Sequence, residues 1–146
     1  MLSYPSFSIA TRLIPQGKNL WAWRLSVAAV GAVIMTAWDL AMDPMMVASG
    51  HWGWEEPGAY FGIPLQNYWG WWLTIFVTFI LFLSLGRVTP EKLATSDWHS
   101  KRQAVILYAI AELSTVIVCL QTNLGGPALA GLFAMFPWAV MGWICT

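Results

Sequence analysis

The chain has 146 residues, 58% of them hydrophobic and only 10% charged, with a formal net charge of zero. An ordinary soluble domain carries about 25% charged residues, so seven acids and seven bases cannot clothe a water-soluble surface, and the apolar surplus must face lipid. The balanced charge also argues against a nucleic-acid binder, which needs a clustered basic surface.

Residues 1–20 come first, MLSYPSFSIATRLIPQGKNL. They lack the short basic head and compact apolar run of a signal peptide. Pro5, Pro15 and Gly17 are expected to interrupt any helix here, leaving an interfacial lead-in to a single membrane domain, 21–146. A membrane helix needs about 20 mostly apolar residues to cross a hydrocarbon core of about 30 Å. Four stretches qualify: about 21–42, 67–85, 104–122 and 127–145. The expected fold class is therefore all-α, an integral membrane bundle of about four transmembrane helices. Pro44 disfavours a helical Asp43 and predicts that the first helix ends there, while Pro137 predicts a kink in the fourth. The connections are then an outer loop over 43–66, a loop over 86–103, and a turn over 123–126. In that turn Gly125 and Gly126 permit positive φ before Pro127 opens a helix.

Basic residues give the orientation. Arg12, Lys18 and Arg24 lie before or just inside the first helix, and Arg87, Lys92, Lys101 and Arg102 lie between the second and third. These are all seven of the chain's lysines and arginines. Because positive charge is retained on the cytoplasmic side, both termini and the 86–103 loop are predicted to be cytoplasmic.

The polar residues concentrate at the opposite end, between Asp39 and Gln66. Asp39 and Asp43 are four residues apart, so both carboxyls project from one face of the last turn of the first helix. Like charge and partial burial at the membrane edge both disfavour ionisation of at least one. A carboxylic acid that keeps its proton is a usable general acid; the alternative is a pair that faces water or caps nearby backbone. Glu112 is the one ionisable residue deep inside a predicted span, where such groups face the bundle interior and are functional candidates. The alternative is a neutral Glu112 hydrogen-bonded to Thr or Asn of a neighbouring helix. Six of the eleven tryptophans fall between Trp38 and Trp72. An interfacial aromatic belt accounts for part of this, but Trp52, Trp54, Tyr60 and Phe61 are interleaved with Glu55 and Glu56. Aromatic faces hold apolar chains and stabilise cations, so acid plus aromatic wall suits protonation of an alkene. His51 and His99 fall in predicted loops, and no metal-ligand spacing, GxSxG, phosphate-cradling loop or dinucleotide fingerprint occurs. Cys119 and Cys145 read as small buried hydrophobes.

The segment from Asp39 to Trp72 resembles the bacterial and archaeal carotenoid hydratases of the bisanhydrobacterioruberin hydratase type. The residues that carry the resemblance are Asp39 with Asp43 and Pro44, Gly50, Trp52 and Trp54. They continue through Gly58, Tyr60, Phe61, Gly62, Ile63 and Pro64 to Asn67, Gly70 and Trp71. It implies an integral membrane protein that adds water to the terminal double bond of an acyclic carotenoid without a cofactor, in a bacterial inner membrane, cytoplasmic or photosynthetic. The resemblance marks the region, and the roles within it are our own assignment: a protonated Asp39 or Asp43 donates to the alkene, and a carboxylate such as Glu55 or Glu56 orients water for attack. The candidate substrate-binding residues are Trp52, Trp54, Tyr60, Phe61, Asn67 and Trp71, with Glu112 added from its depth. The expected partners are membrane lipid, a bound carotenoid and other membrane subunits. Members of that family are longer than this chain, and the resemblance falls on their later half. A second expectation is accordingly a non-catalytic, carotenoid-binding or structural subunit of a larger membrane complex.

Overall fold

A computed structural model describes residues 2–94 and 98–145, and all its regular elements are helices. In chain order they are α1 (Ser3–Leu13), α2 (Leu20–Thr36), α3 (Asp39–Ala48), α4 (Leu65–Leu85), α5 (Pro90–Ala94), α6 (Trp98–Gln121) and α7 (Gly125–Ile144). Four spans are long and apolar enough to cross a membrane: Leu20–Ala48, Leu65–Leu85, Arg102–Gln121 and Gly125–Ile144. The fold is a membrane helical bundle.

The N-terminal segment departs from expectation. Pro5 does not interrupt a helix; it sits in the first turn of α1, where its missing N–H would have had no partner anyway. The break falls instead at Pro15 and Gly17, between α1 and α2. Pro5, Ser6, Ile9 and Ala10 of α1 are buried, and the helix packs against α2, α6 and α7. α2 starts where Asn19 caps it, its Oδ1 accepting from Trp21 N (2.9 Å) and Ala22 N (3.2 Å).

Between helices in lipid, association comes from close packing of small residues and from hydrogen bonds across the interface. Gly31 of α2 receives the Phe79 ring of α4, which a Cβ there would meet at 2.7 Å. Gly131 of α7 does the same for Ala41 of α3, at 2.5 Å. Tyr108 of α6 donates to the Ile34 carbonyl (2.7 Å), and the Trp38 indole donates to Thr115 Oγ1 (2.8 Å).

The first span does not end at Asp43. α2 gives way at Ala37–Trp38, where Trp38 N–H turns to Met35 O (3.3 Å), and α3 then runs through Pro44 to Ala48. The outer loop is correspondingly shorter than expected, 49–64, and α4 begins at Leu65. In the other outer turn positive φ falls on Asn123 (61°), while Gly125 and Gly126 are already helical. α7 is continuous through Pro137. The 86–103 connection holds α5 and the start of α6, so His99 lies in a helical turn rather than a loop; residues 95–97 of that connection are outside those described. Cys119 is buried as expected, but Cys145 is exposed.

The basic end is knitted together. Buried Arg24 donates to the Val88 carbonyl (3.1 Å) and lies over the Trp21 ring (5.4 Å), and Gln16 donates to Glu91 Oε1 (2.5 Å). Glu91 is held below the usual carboxylate range chiefly by its own backbone N–H.

Candidate active site and apolar groove

Asp39 opens α3, and Asp43 follows one turn later on the same face, so the pair belongs to a separate helix beyond the α2 break rather than to a last turn. Both are buried, Asp39 to 7% exposure and Asp43 to 2%. Asp43 Oδ2 accepts a hydrogen bond from the Asn67 amide in the first turn of α4. Asp39 makes no hydrogen bond among the described residues, and the charge that acts on it is that of Asp43.

Pro44 explains how the outer loop reaches this pair. A proline inside a helix leaves the carbonyl four residues earlier without its N–H partner. That carbonyl is Leu40 O, and the Tyr60 hydroxyl donates to it at 2.7 Å. Burial pushes the Tyr60 phenol up to about 12, so it remains a donor throughout the physiological range.

The loop is shaped to deliver Tyr60. Gly58 N–H bonds Gly62 O (2.9 Å) and Ile63 N–H bonds Tyr60 O (2.8 Å), closing a tight reversal between two isolated bridges. Gly62 takes φ +83°, and a Cβ on Gly58 would lie 2.2 Å from the Ile63 carbonyl, so side chains are excluded at both positions. Ile63 is fully buried beneath the turn. Phe61, exposed and at φ 46°, rests its ring against Gly126 at the start of α7. Tyr60 meets Phe61 and Tyr68 edge to face, at 4.9 and 5.7 Å between centroids.

Tyr68 joins this cluster to an apolar groove of about 740 Å³ between α2, α3, α4 and α7. Trp69, Trp72 and Trp138 wall it, with Val33, Leu40 and Leu65. Two polar atoms on its lining, Tyr68 Oη and Thr36 Oγ1, are buried without a hydrogen-bond partner. Such a groove takes an apolar ligand, and its two free hydroxyls are available to a polar or reacting group at the ligand's end.

The structure thus brings together Asp39, Asp43, Tyr60, Phe61 and Asn67. It does not bring in Glu55 and Glu56, which are exposed and line a separate depression on the far side of Leu65 and Trp69. Trp52 and Trp54 are exposed on the 49–57 stretch, and Trp71 is exposed on α4 away from the groove. Glu112 is buried to 3% in α6, but its Oε1 has no partner and no hydrogen bond links it to the aspartates among the described residues. Among the described residues Glu112 has none of the Thr or Asn partners that a structural role was expected to supply. Sequence reasoning missed Tyr68, Trp69, Trp72, Trp138 and Thr36. Their signal was present: 65, 68, 69 and 72 are spaced as one helical face.

The sequence profile described as "Carotenoid biosynthesis protein" matches residues 1–137, far beyond the segment 39–72 that carried the sequence resemblance. No curated protein and no solved structure matches the chain. The match reaches from α1 into α7, stopping one residue short of Trp138, and the chain belongs to the carotenoid biosynthesis protein family.

Proposed function

We propose that this carotenoid-related membrane protein hydrates the terminal double bond of an acyclic carotenoid. The observation that carries the reading is a buried carboxyl pair on α3, near enough for both charges to act on Tyr68, which lines an aromatic-walled groove and has an unpartnered hydroxyl. The polyene lies along Trp69, Trp72 and Trp138 with its end group against Tyr68. A protonated aspartic acid of the pair donates its proton to the less substituted alkene carbon, leaving a tertiary cation that the aromatic faces stabilise. Water adds to the cation, and the resulting oxonium returns its extra proton to the carboxylate, so the net change is one water gained. Asn67 fixes the Asp43 carboxyl, leaving Asp39 as the donor with no competing hydrogen bond. Glu55 and Glu56 take no part. No cofactor enters these steps.

The test is expression in a bacterium that accumulates an acyclic carotenoid, followed by pigment chromatography and mass spectrometry. A tertiary alcohol heavier by one water is expected, absent in Asp39→Asn and Asp43→Asn. Tyr68→Phe is the sharper variant: its hydroxyl bonds no atom of the described residues, so folding is preserved while product falls.

A second reading, carotenoid binding without turnover inside a larger assembly, is favoured by one feature: neither carboxyl itself lines the groove. Under it, unchanged pigment copurifies and both aspartate variants retain it.

We also infer that both termini face the cytoplasm, from the segregation of every lysine and arginine to one end of the spans. Cys119 is buried and Cys145 exposed, which supplies a native probe. A membrane-impermeant maleimide is expected to label Cys145 in inverted vesicles and to spare it in intact spheroplasts.

A further inference from the structure

At the basic end, remote from the aspartates, a second cavity of about 320 Å³ lies between α1, the start of α2 and α5. Tyr4, Ser8, Thr11 and Arg12 contribute one face of α1, with Trp23 and Pro90 opposite. Arg12 is the cation of this cavity. Its Nη2 donates to Ser8 Oγ (3.0 Å), but its Nη1 is buried and meets no acceptor. Among the described residues no carboxylate answers it: the groups acting on its charge are Tyr4 and Cys145, and Glu91 accepts from Gln16 instead. Desolvation accordingly lowers the Arg12 pKa from the ordinary guanidinium value.

A half-buried guanidinium with a spare fork donor, beside a hydroxyl-rich face, matches one ligand chemistry. Guanidinium binds phosphate oxygens in bidentate fashion, and serine and threonine hydroxyls complete such a shell. Basic pockets among helices at the positively charged end of a membrane bundle receive anionic headgroups. We propose that the Arg12 cavity is a binding site for a phosphate-bearing anion, independent of the carotenoid groove. The ligand's phosphate sits on Arg12 Nη1 and Nη2, and its remaining oxygens face Thr11 and Ser8. The bound anion ties α1 to α2 and α5. Its source is either the headgroup of an acidic phospholipid or soluble phosphate.

The experiment uses the full chain in a neutral detergent, titrated separately with short-chain phosphatidylglycerol and with inorganic phosphate, and reads thermal unfolding. The wild-type protein is expected to be stabilised, and Arg12→Gln to bind about tenfold more weakly, the value of one charged hydrogen bond. Lys18→Gln, which removes a charge from the same end but outside the cavity, keeps wild-type affinity. Stabilisation by phosphatidylglycerol alone assigns a lipid headgroup; stabilisation by phosphate as well assigns a soluble source, and both support the site. Should Arg12→Gln fail to fold, Arg12→Lys carries the test, since one ammonium cannot reproduce the fork, and weaker binding is again expected. Equal affinity in the Arg12 variants and the wild type, or no stabilisation by either compound, overturns the proposal.

Discussion

The two halves of the outer connection look alike in sequence and differ in structure. Residues 51–57 carry Trp52, Trp54, Glu55 and Glu56; residues 58–67 carry Tyr60, Phe61 and Asn67. The first half is exposed along its length, and its bonds among the described residues are local to the end of α3: His51 N–H to Met46 O at 3.0 Å and the His51 ring to Ser49 at 2.7 Å. The second half is fastened at three points: Tyr60 to Leu40 O, Asn67 to Asp43, and the Phe61 ring against Gly126. Aromatic and acidic composition therefore does not make a site. What matters is whether a backbone acceptor or a buried carboxyl is waiting for the side chain, and Pro44 supplies the first of these by releasing Leu40 O.

The largest expected effect is at the carboxyl pair that the second half covers. Asp43→Asn keeps an amide oxygen to accept from Asn67, so the fold persists, but Asp39, the proton donor, loses the carboxyl charge that acts on it. General acid catalysis contributes about a hundredfold or more, so product formation in the pigment assay is expected to fall by at least that factor, and Asp39→Asn to match it. Wild-type product levels in both variants would break the link between the pair and the chemistry.

Next in size is the turn that presents Tyr60. In Gly58→Ala the new Cβ meets the Ile63 carbonyl and the Pro64 nitrogen, both backbone atoms that cannot swing aside. Overpacking that forces the backbone to move costs about 1–3 kcal/mol. A clear drop in thermal midpoint is expected, with loss of activity, whereas Gly53→Ala in the first half has open space around it and is expected to be silent. Tyr60→Phe is milder. It strands the Leu40 carbonyl at a cost of about 1–3 kcal/mol, read as reduced stability and freer hydrogen exchange over the 58–64 segment.

How much of this was legible beforehand depends on whether a residue acts alone or through a neighbour. The four spans followed from apolar length, which lipid enforces with little help from tertiary structure. The pairing of Asp39 with Asp43 followed from helical spacing alone. Proline was misread twice in the same way. Pro5 and Pro44 were judged by local preference, yet each sits where its missing N–H is either not needed or is compensated by another element. The groove was missed because its walls come from three separate stretches of chain. Leu65, Tyr68, Trp69 and Trp72 share a helical face in the sequence, but nothing local reveals that Trp138 and Thr36 arrive opposite them.

The smallest expected effect separates the two halves most cleanly. Glu55 and Glu56 have the composition of catalytic acids and stand only a few residues from Tyr60, so a reading by proximity along the chain would make them the water-orienting base. In space Leu65 and Trp69 stand between them and the groove, and their side chains are exposed. An exposed carboxylate in high dielectric is screened and exerts little force on a buried cation. Glu55→Gln and Glu56→Gln, singly and together, are therefore expected to leave product yield and thermal midpoint unchanged, while Tyr68→Phe lowers yield at constant midpoint. The reverse pattern would move the reacting end of the carotenoid out of the α2–α4–α7 groove and onto the loop surface, with the aspartates left as a structural pair.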